Sequence, residues 1–404
     1  MSRVLSLAAC ITLCFSSTLS TIEAIELKVS AGSQDRIAVP VVFQLPKSLT
    51  KTQSLRLAEN ASGSTTPTQR LSGKPPRIAW IVRDLPAGQT QTYQFEPAQE
   101  PAPADATVTC TDDGTRLTLS IGDKPVITYN HGLLPAPEGI DPVFAKNGHI
   151  HPLRTPLGRF VTDDFPPDHA HQHGIFFAWV KTTFEDRPVD FWNQAKQLGS
   201  VEHMKILETV SGPVFGQFKV KLRHSDLTAP DGPKPVLEEI WTVRVYNVPD
   251  PFLIDLKSEQ RCVADTPLVI NEYHYGGMGL RAAREWYKQD GSGFLTSTGR
   301  KRRDGNHTRA RWVITHGQSE GQPAAVAALG HPDNFRAPQY VRLHPTKPYF
   351  CFAPMVMGPF EIAPGKPFVS RYRYATYDGT PNPELIDQLW QDFAEPPTVR
   401  SVIK

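Results

Sequence analysis

The chain has 404 residues, and its 43 Lys and Arg nearly balance its 41 Asp and Glu. That balance leaves no basic footprint for nucleic acid or for an anionic membrane surface, so neither is expected as a partner. The length calls for one large domain or two unequal ones, and an apolar share of 39% is enough for a real core.

The first segment reads as an export signal. Arg3 precedes an apolar run from Val4 to Phe15, and the small residues Ser16, Ser17, Thr18 and Ser20 follow. The run is short of the roughly 20 residues that span a bilayer. Residues 1–24 are taken as a signal peptide, with cleavage after Ser20 or Ala24. Leu7-Ala-Ala-Cys10 matches a lipoprotein site only superficially, because almost no hydrophobic segment precedes it. No later window is apolar enough to span, so no transmembrane segment is expected in the mature chain. Its expected location is the periplasm or the medium. Cys110, Cys262 and Cys351 then remain, without a C-x-x-C pair, so no cysteine zinc site or thioredoxin-like motif is indicated.

Residues 25–97 alternate apolar and polar positions in short runs such as Ile25-Glu-Leu-Lys-Val29 and Arg77-Ile-Ala-Trp-Ile-Val82. With turn signals between them, these predict a small β-sandwich domain. Residues 98–105 form a Pro/Ala linker. From 106 to 404 the strand pattern resumes, as in Leu237-Glu-Glu-Ile-Trp-Thr-Val-Arg-Val-Tyr246 and Val369-Ser-Arg-Tyr-Arg-Tyr-Ala375. So much strand with few crossover helices implies antiparallel sheets packed face to face, a large β-sandwich or supersandwich. The clearest helix covers Pro383 to Phe393, where Leu385, Ile386, Leu389, Trp390 and Phe393 make one stripe and Pro383 suits the first turn.

Chemistry concentrates in the middle. All 13 histidines lie between His131 and His344. The densest run is Thr162-Asp-Asp-Phe-Pro-Pro-Asp-His-Ala-His-Gln-His-Gly174. If it is extended, His169, His171 and His173 project to one side, with Asp164 and Asp168 beside them. Imidazoles and carboxylates are proton carriers near neutral pH and are also ligands for zinc and related ions. These five residues are the candidate catalytic set, and the three histidines are also the candidate ligands of a divalent metal. His151, Trp192, His203, Glu272, His274 and Arg281 are the candidate substrate-binding residues. Gly317-Gln-Ser-Glu-Gly321 fits a serine-hydrolase pattern, but Pro323 and a strand follow where that chemistry needs a helix, so it reads as a hairpin. Arg300-Lys-Arg-Arg303 reads as a solvated hairpin.

With these motifs in view, the chain resembles a bacterial family labelled "methane oxygenase PmoA", an exported domain of unknown function. The resemblance rests on His151-Pro-Leu153, the run Thr162 to Gly174, Val189-Asp-Phe-Trp192, Tyr273-His-Tyr-Gly-Gly-Met-Gly-Leu-Arg281, His331-Pro-Asp-Asn334, and Ala363-Pro-Gly-Lys366 leading into Arg371-Tyr-Arg-Tyr374. It implies an exported protein from bacteria rich in polysaccharide-degradation genes. The label itself is no guide to activity, since a particulate methane-oxidising subunit must span a membrane. Pro364-Gly365 followed by Tyr372 is also similar to the end of galactose-mutarotase-like supersandwich proteins, which implies that architecture and sugar substrates by analogy of fold. The expected function is acid–base or metal-assisted chemistry on a small-molecule or oligosaccharide substrate, as an epimerase, lyase or hydrolase. The alternatives are a non-catalytic module that binds glycan or metal, and a redox metalloprotein true to the family label.

Overall fold

The computed structural model describes residues 25–50, 55–97 and 107–403. The expected signal peptide (1–24) and the Pro/Ala linker (98–105) lie outside the described residues. Among the described residues the fold is mostly β, with antiparallel sheets and one α-helix near the C-terminus. Two small sheets pack around Leu27, Val29, Leu57, Ile78, Trp80 and Val82, all fully buried. The first of these sheets is completed by the far end of the chain. Thr398–Ile403 pairs with Ile25–Ser30, from Thr398 against Ser30 to Ile403 against Ile25.

The largest core lies between two broad sheets. The nine-stranded site sheet runs in the order Thr308–Arg309, Tyr340–Leu343, Tyr349–Phe352, Gly277–Arg281, Ile175–Ala178, His149–Leu153, Lys124–Asn130, Arg116–Ile121 and Val108–Asp112. The eight-stranded back sheet includes the long strands Phe215–Asp226, Lys234–Tyr246, Phe252–Cys262 and Phe368–Asp378. Register decides which residues of the site sheet meet the back sheet. Residues paired directly across strands share a face, and neighbours along a strand alternate. Tyr129 pairs with Ile150, Ile150 with Ile175, Ile175 with Leu280, and Leu280 with Phe350. This apolar row faces the back sheet. Tyr129 packs on Phe218 and Trp241, with ring centroids 5.1 and 6.2 Å apart, and Phe352, two residues on from Phe350, stacks on Tyr372 at 5.0 Å.

The other face is therefore polar by parity. It carries Asn130, His149, His151, Gly279, Arg281, Tyr349, Cys351 and Arg342, with His344 just beyond its strand. Gly279 on this face admits Trp192, because a Cβ there would stand 2.9 Å from Trp192 Cη2.

The helix forms over Pro383–Ala394, with Asn382 accepting from the Leu385 N–H as its N-cap. Ile386 and Leu389 are buried, and Leu385, Trp390 and Phe393 pack against the same cluster. Asp392 ties the helix to the N-terminal segment through a buried ion pair with Arg36 at 2.8 Å. Gly317 and Ser319 sit in a strand that turns back into Gln322–Gly330, which is the expected hairpin. Cys110, Cys262 and Cys351 are free thiols.

Candidate functional site

The histidine run is not extended. Pro166 and Pro167 lead into two tight turns, closed by His169 N–H to the Pro166 carbonyl and Gln172 N–H to the His169 carbonyl, both 2.9 Å. The expected single row of three imidazoles is thus corrected, and the run splits into a buried part and a rim. Proline lacks an N–H for a ladder, and Asp and His satisfy local turns well, so the segment folds on itself. Gly174 then redirects the chain into the strand Ile175–Ala178. Its φ is 48°, and a Cβ there would lie 2.1 Å from the Ile150 carbonyl oxygen.

The buried part joins His173 to His149 through Asp164. Asp164 Oδ1 lies 2.6 Å from His173 Nδ1, and Oδ2 lies 3.0 Å from His149 Nε2. His173 Nε2 meets Gln194 Oε1 at 3.0 Å. His149 Nδ1 is buried without a partner among the described residues. Burial raises the Asp164 pKa, but the charge and hydrogen bonds of His149 and His173 outweigh it and hold the carboxyl far below the usual range. Burial lowers the His173 pKa against the pull of Asp164. His149, Asp164 and His173 have ligand atoms within 4.8 Å of one another, so this trio could hold a metal ion. Of the candidate ligand set His169, His171 and His173, only His173 belongs to this trio.

Beside His173 lies a hollow of about 10 Å³, lined by Lys146, His171, Phe176, Trp192 and Gln194. That is room for about one water. A sugar ring does not enter it. Burial pulls Lys146 down to about 8, while its Nζ donates to the Val201 carbonyl at 2.6 Å.

The rim is held by a second set of charges. Lys347 Nζ reaches Asp168 Oδ2 at 2.5 Å and His169 Nδ1 at 2.7 Å. Arg281 donates to Asp168 at 3.2 Å and to Gln172 at 3.0 Å. Arg284 takes Asp163 at 3.0 Å. His169 stands 5.4 Å from His171 and 5.9 Å from His344, ring to ring. His171 is half-buried, and no hydrogen bond to its ring is found among the described residues. Burial first, then the neighbouring His169 and His173, push its pKa down to about 4. His344 is likewise pushed to about 4, by burial and then Arg342. Its Nδ1 accepts from the Thr346 and Lys347 N–H groups at 3.2 and 3.1 Å, which leaves the proton on Nε2.

The remaining candidates divide. His151 sits on the polar face and meets Thr162 Oγ1 at 3.0 Å, with burial taking its pKa to about 4. Trp192 is buried as a wall, 4.5 Å from Phe176, 5.6 Å from Tyr275 and 5.8 Å from Tyr349. Exposed His274 lies tilted against Tyr273 and edge-on to Tyr275, with ring centroids 4.3 and 4.8 Å apart. Glu272 is exposed beside it. His203 is not brought to the site. It lies on the back sheet, where its Nδ1 meets the Tyr129 hydroxyl at 2.9 Å, behind the apolar row. Sequence reasoning missed Lys347, His344, Arg342 and Tyr349. The alternation Val341-Arg-Leu-His344 carried the signal for two of them.

A family model for a family of unknown function, DUF6807, matches residues 116–391. The chain belongs to that family. The resemblance to the family labelled methane oxygenase PmoA is corrected by this match, and the redox reading that followed from the label goes with it. No curated protein matches the chain. Among solved structures, it is similar to the heparan sulfate lyase HepC from Pedobacter heparinus and to a mutant of that protein. Each is 10% identical, with a TM-score of 0.33, and the match covers 72% of this chain and 38% of theirs. This chain thus spans well under half of those proteins, and a likeness so remote carries no argument about activity. No helix among the described residues is long and apolar enough to cross a membrane.

Proposed function

We propose that the protein is an exported carbohydrate-active enzyme that moves protons at a sugar, as a lyase or epimerase. In this reading residues 25–97 are a small β domain ahead of a catalytic domain at 106–404. One observation carries the choice of chemistry: the three aspartates of the histidine run are already engaged. Asp163 is held by Arg284, Asp164 by His149 and His173, and Asp168 by Lys347 and Arg281. A two-carboxylate hydrolase needs one carboxyl free to give a proton and another free to attack or to activate water. The groups left to exchange protons at the rim are imidazoles. His171, with no hydrogen-bond partner among the described residues, is the base. His169 and His344, each with Nδ1 occupied, present Nε2–H donors to the substrate. Tyr273 and Tyr275, both half-buried, offer a flat face to a sugar ring.

The test is turnover by the mature protein on a panel of oligosaccharides, read by new double bonds or by inverted carbon centres. His171→Ala should abolish the activity, and His203→Ala should leave it unchanged. Full activity in both His171→Ala and His169→Ala ends this reading. The buried trio favours a second one, a metal-binding module without turnover. Stoichiometric metal in the purified protein, together with no product from any saccharide, would establish it.

A further inference from the structure

We propose that the substrate is a sugar acid, and that Arg342 receives the carboxylate of a hexuronate unit. The proposal rests on the reading above and narrows it to a substrate class. Arg342 lies on the polar face of the site sheet, directly across from Cys351, which in turn pairs with Gly279 under Trp192. His344 is two residues on and points to the same side. Arg342 is half-buried, yet among the described residues no carboxylate lies within ion-pair distance of it. Its one hydrogen bond found there is a 3.4 Å contact with the Leu343 carbonyl.

The contrast with its neighbours is informative. Arg281, Arg284 and Lys347 all have acidic partners at 3.2 Å or less. Asp190 is taken by Lys196 at 2.8 Å. A guanidinium has five N–H donors in a fork that matches a carboxylate. Here that fork is left facing the rim, with His344 and His274 feeling its charge. Trp192 Nε1, 98% buried, also lacks a partner among the described residues.

The chemistry is coherent with the proposed proton transfer. A carbon next to a carboxylate gives up its proton more readily when a cation neutralises that carboxylate. The base takes the C–H proton, and the electron pair is held in the carboxylate on Arg342. It then either recaptures a proton on the opposite face or expels the oxygen on the next carbon. In the second case a C=C bond forms, and the departing oxygen takes the proton. Neither route needs a co-reactant.

The experiment is calorimetric binding of galacturonate and glucuronate trisaccharides, their methyl esters, neutral counterparts and a sulfated neutral trisaccharide. The proteins are the wild type, Arg342→Gln, Arg342→Lys and the distant surface control Arg400→Gln. The free acids should bind about tenfold more tightly than the esters, a difference suited to one forked charge-assisted contact. Arg342→Gln should erase that difference, Arg342→Lys should keep part of it, and the control should keep all of it. Equal binding of acid and ester, a preference that survives Arg342→Gln, binding of the sulfated sugar alone, or no binding at all would overturn the proposal. Acid-selective binding without turnover would leave it standing and remove the enzymatic reading instead.

Discussion

Asp164 is the residue whose replacement says most about the buried trio. Its carboxylate accepts at 2.6 Å from His173 and at 3.0 Å from His149. The three side chains are 9%, 1% and 0% exposed. Removing one partner of a buried charged group costs about 3–5 kcal/mol, so Asp164→Ala should fall in that range. Asp164→Asn should cost only about 1–2 kcal/mol, because an amide still fills both contacts. Its carbonyl accepts from His173, and its NH2 donates to His149 Nε2 once that ring moves its proton to Nδ1, the atom now without a partner. Urea unfolding at pH 7 measures both variants, with the midpoint shifting at constant slope. The Asp164 pKa is depressed in the fold. Its contribution is therefore complete above the unfolded carboxyl value of about 3.9 and is lost as pH falls through the lower folded value. Asp164→Asn should lack that part of the acid limb. Equal losses in the Asn and Ala variants would refute the hydrogen-bonded network. So would an Ala variant as stable as the wild type.

Other expectations follow from the rim and the back sheet. His203 and His344 are both lowered to about 4, chiefly by burial. Folded values below the unfolded value of about 6.5 mean that the unfolded chain binds more protons between those limits. Stability should thus drop as pH falls from about 6.5 to about 4, and His203→Gln should flatten the slope in thermal melts across that range. Arg302 donates at 2.7 Å to the carbonyls of both His344 and Lys347, so it clamps the loop that carries them. Arg302→Gln should cost about 1–3 kcal/mol in unfolding and lower turnover on any substrate found, with Arg302→Lys recovering part of both. Unchanged turnover in Arg302→Gln would show that the loop holds its shape unaided.

What could be read from the chain alone was local. Period-two runs located the strands, and the stripe Leu385, Ile386, Leu389, Trp390 and Phe393 located the helix within a residue. The polar face was half legible too, since His149-Ile-His151 and Arg342-Leu-His344 each put two polar groups on one side of an apolar residue. Density along the chain was the misleading signal. His203 belongs to the same crowded stretch as His149 and His173, yet the register of Tyr129 against Ile150 places it behind the core. Lys347 and His169 are 178 positions apart in sequence and 2.7 Å apart in space. That contact depends on sheet order, and sheet order depends on pairings between strands far apart in the chain, which no local pattern encodes. The turn at Pro166 and Pro167 had a local cause and was still passed over. Spacing by twos suggests a shared face only where a ladder holds the backbone extended, and two prolines at the entrance deny that ladder its donors. The same argument explains why Arg342 escaped notice: a lone arginine in a short strand signals nothing until the carboxylates around it are seen to be taken.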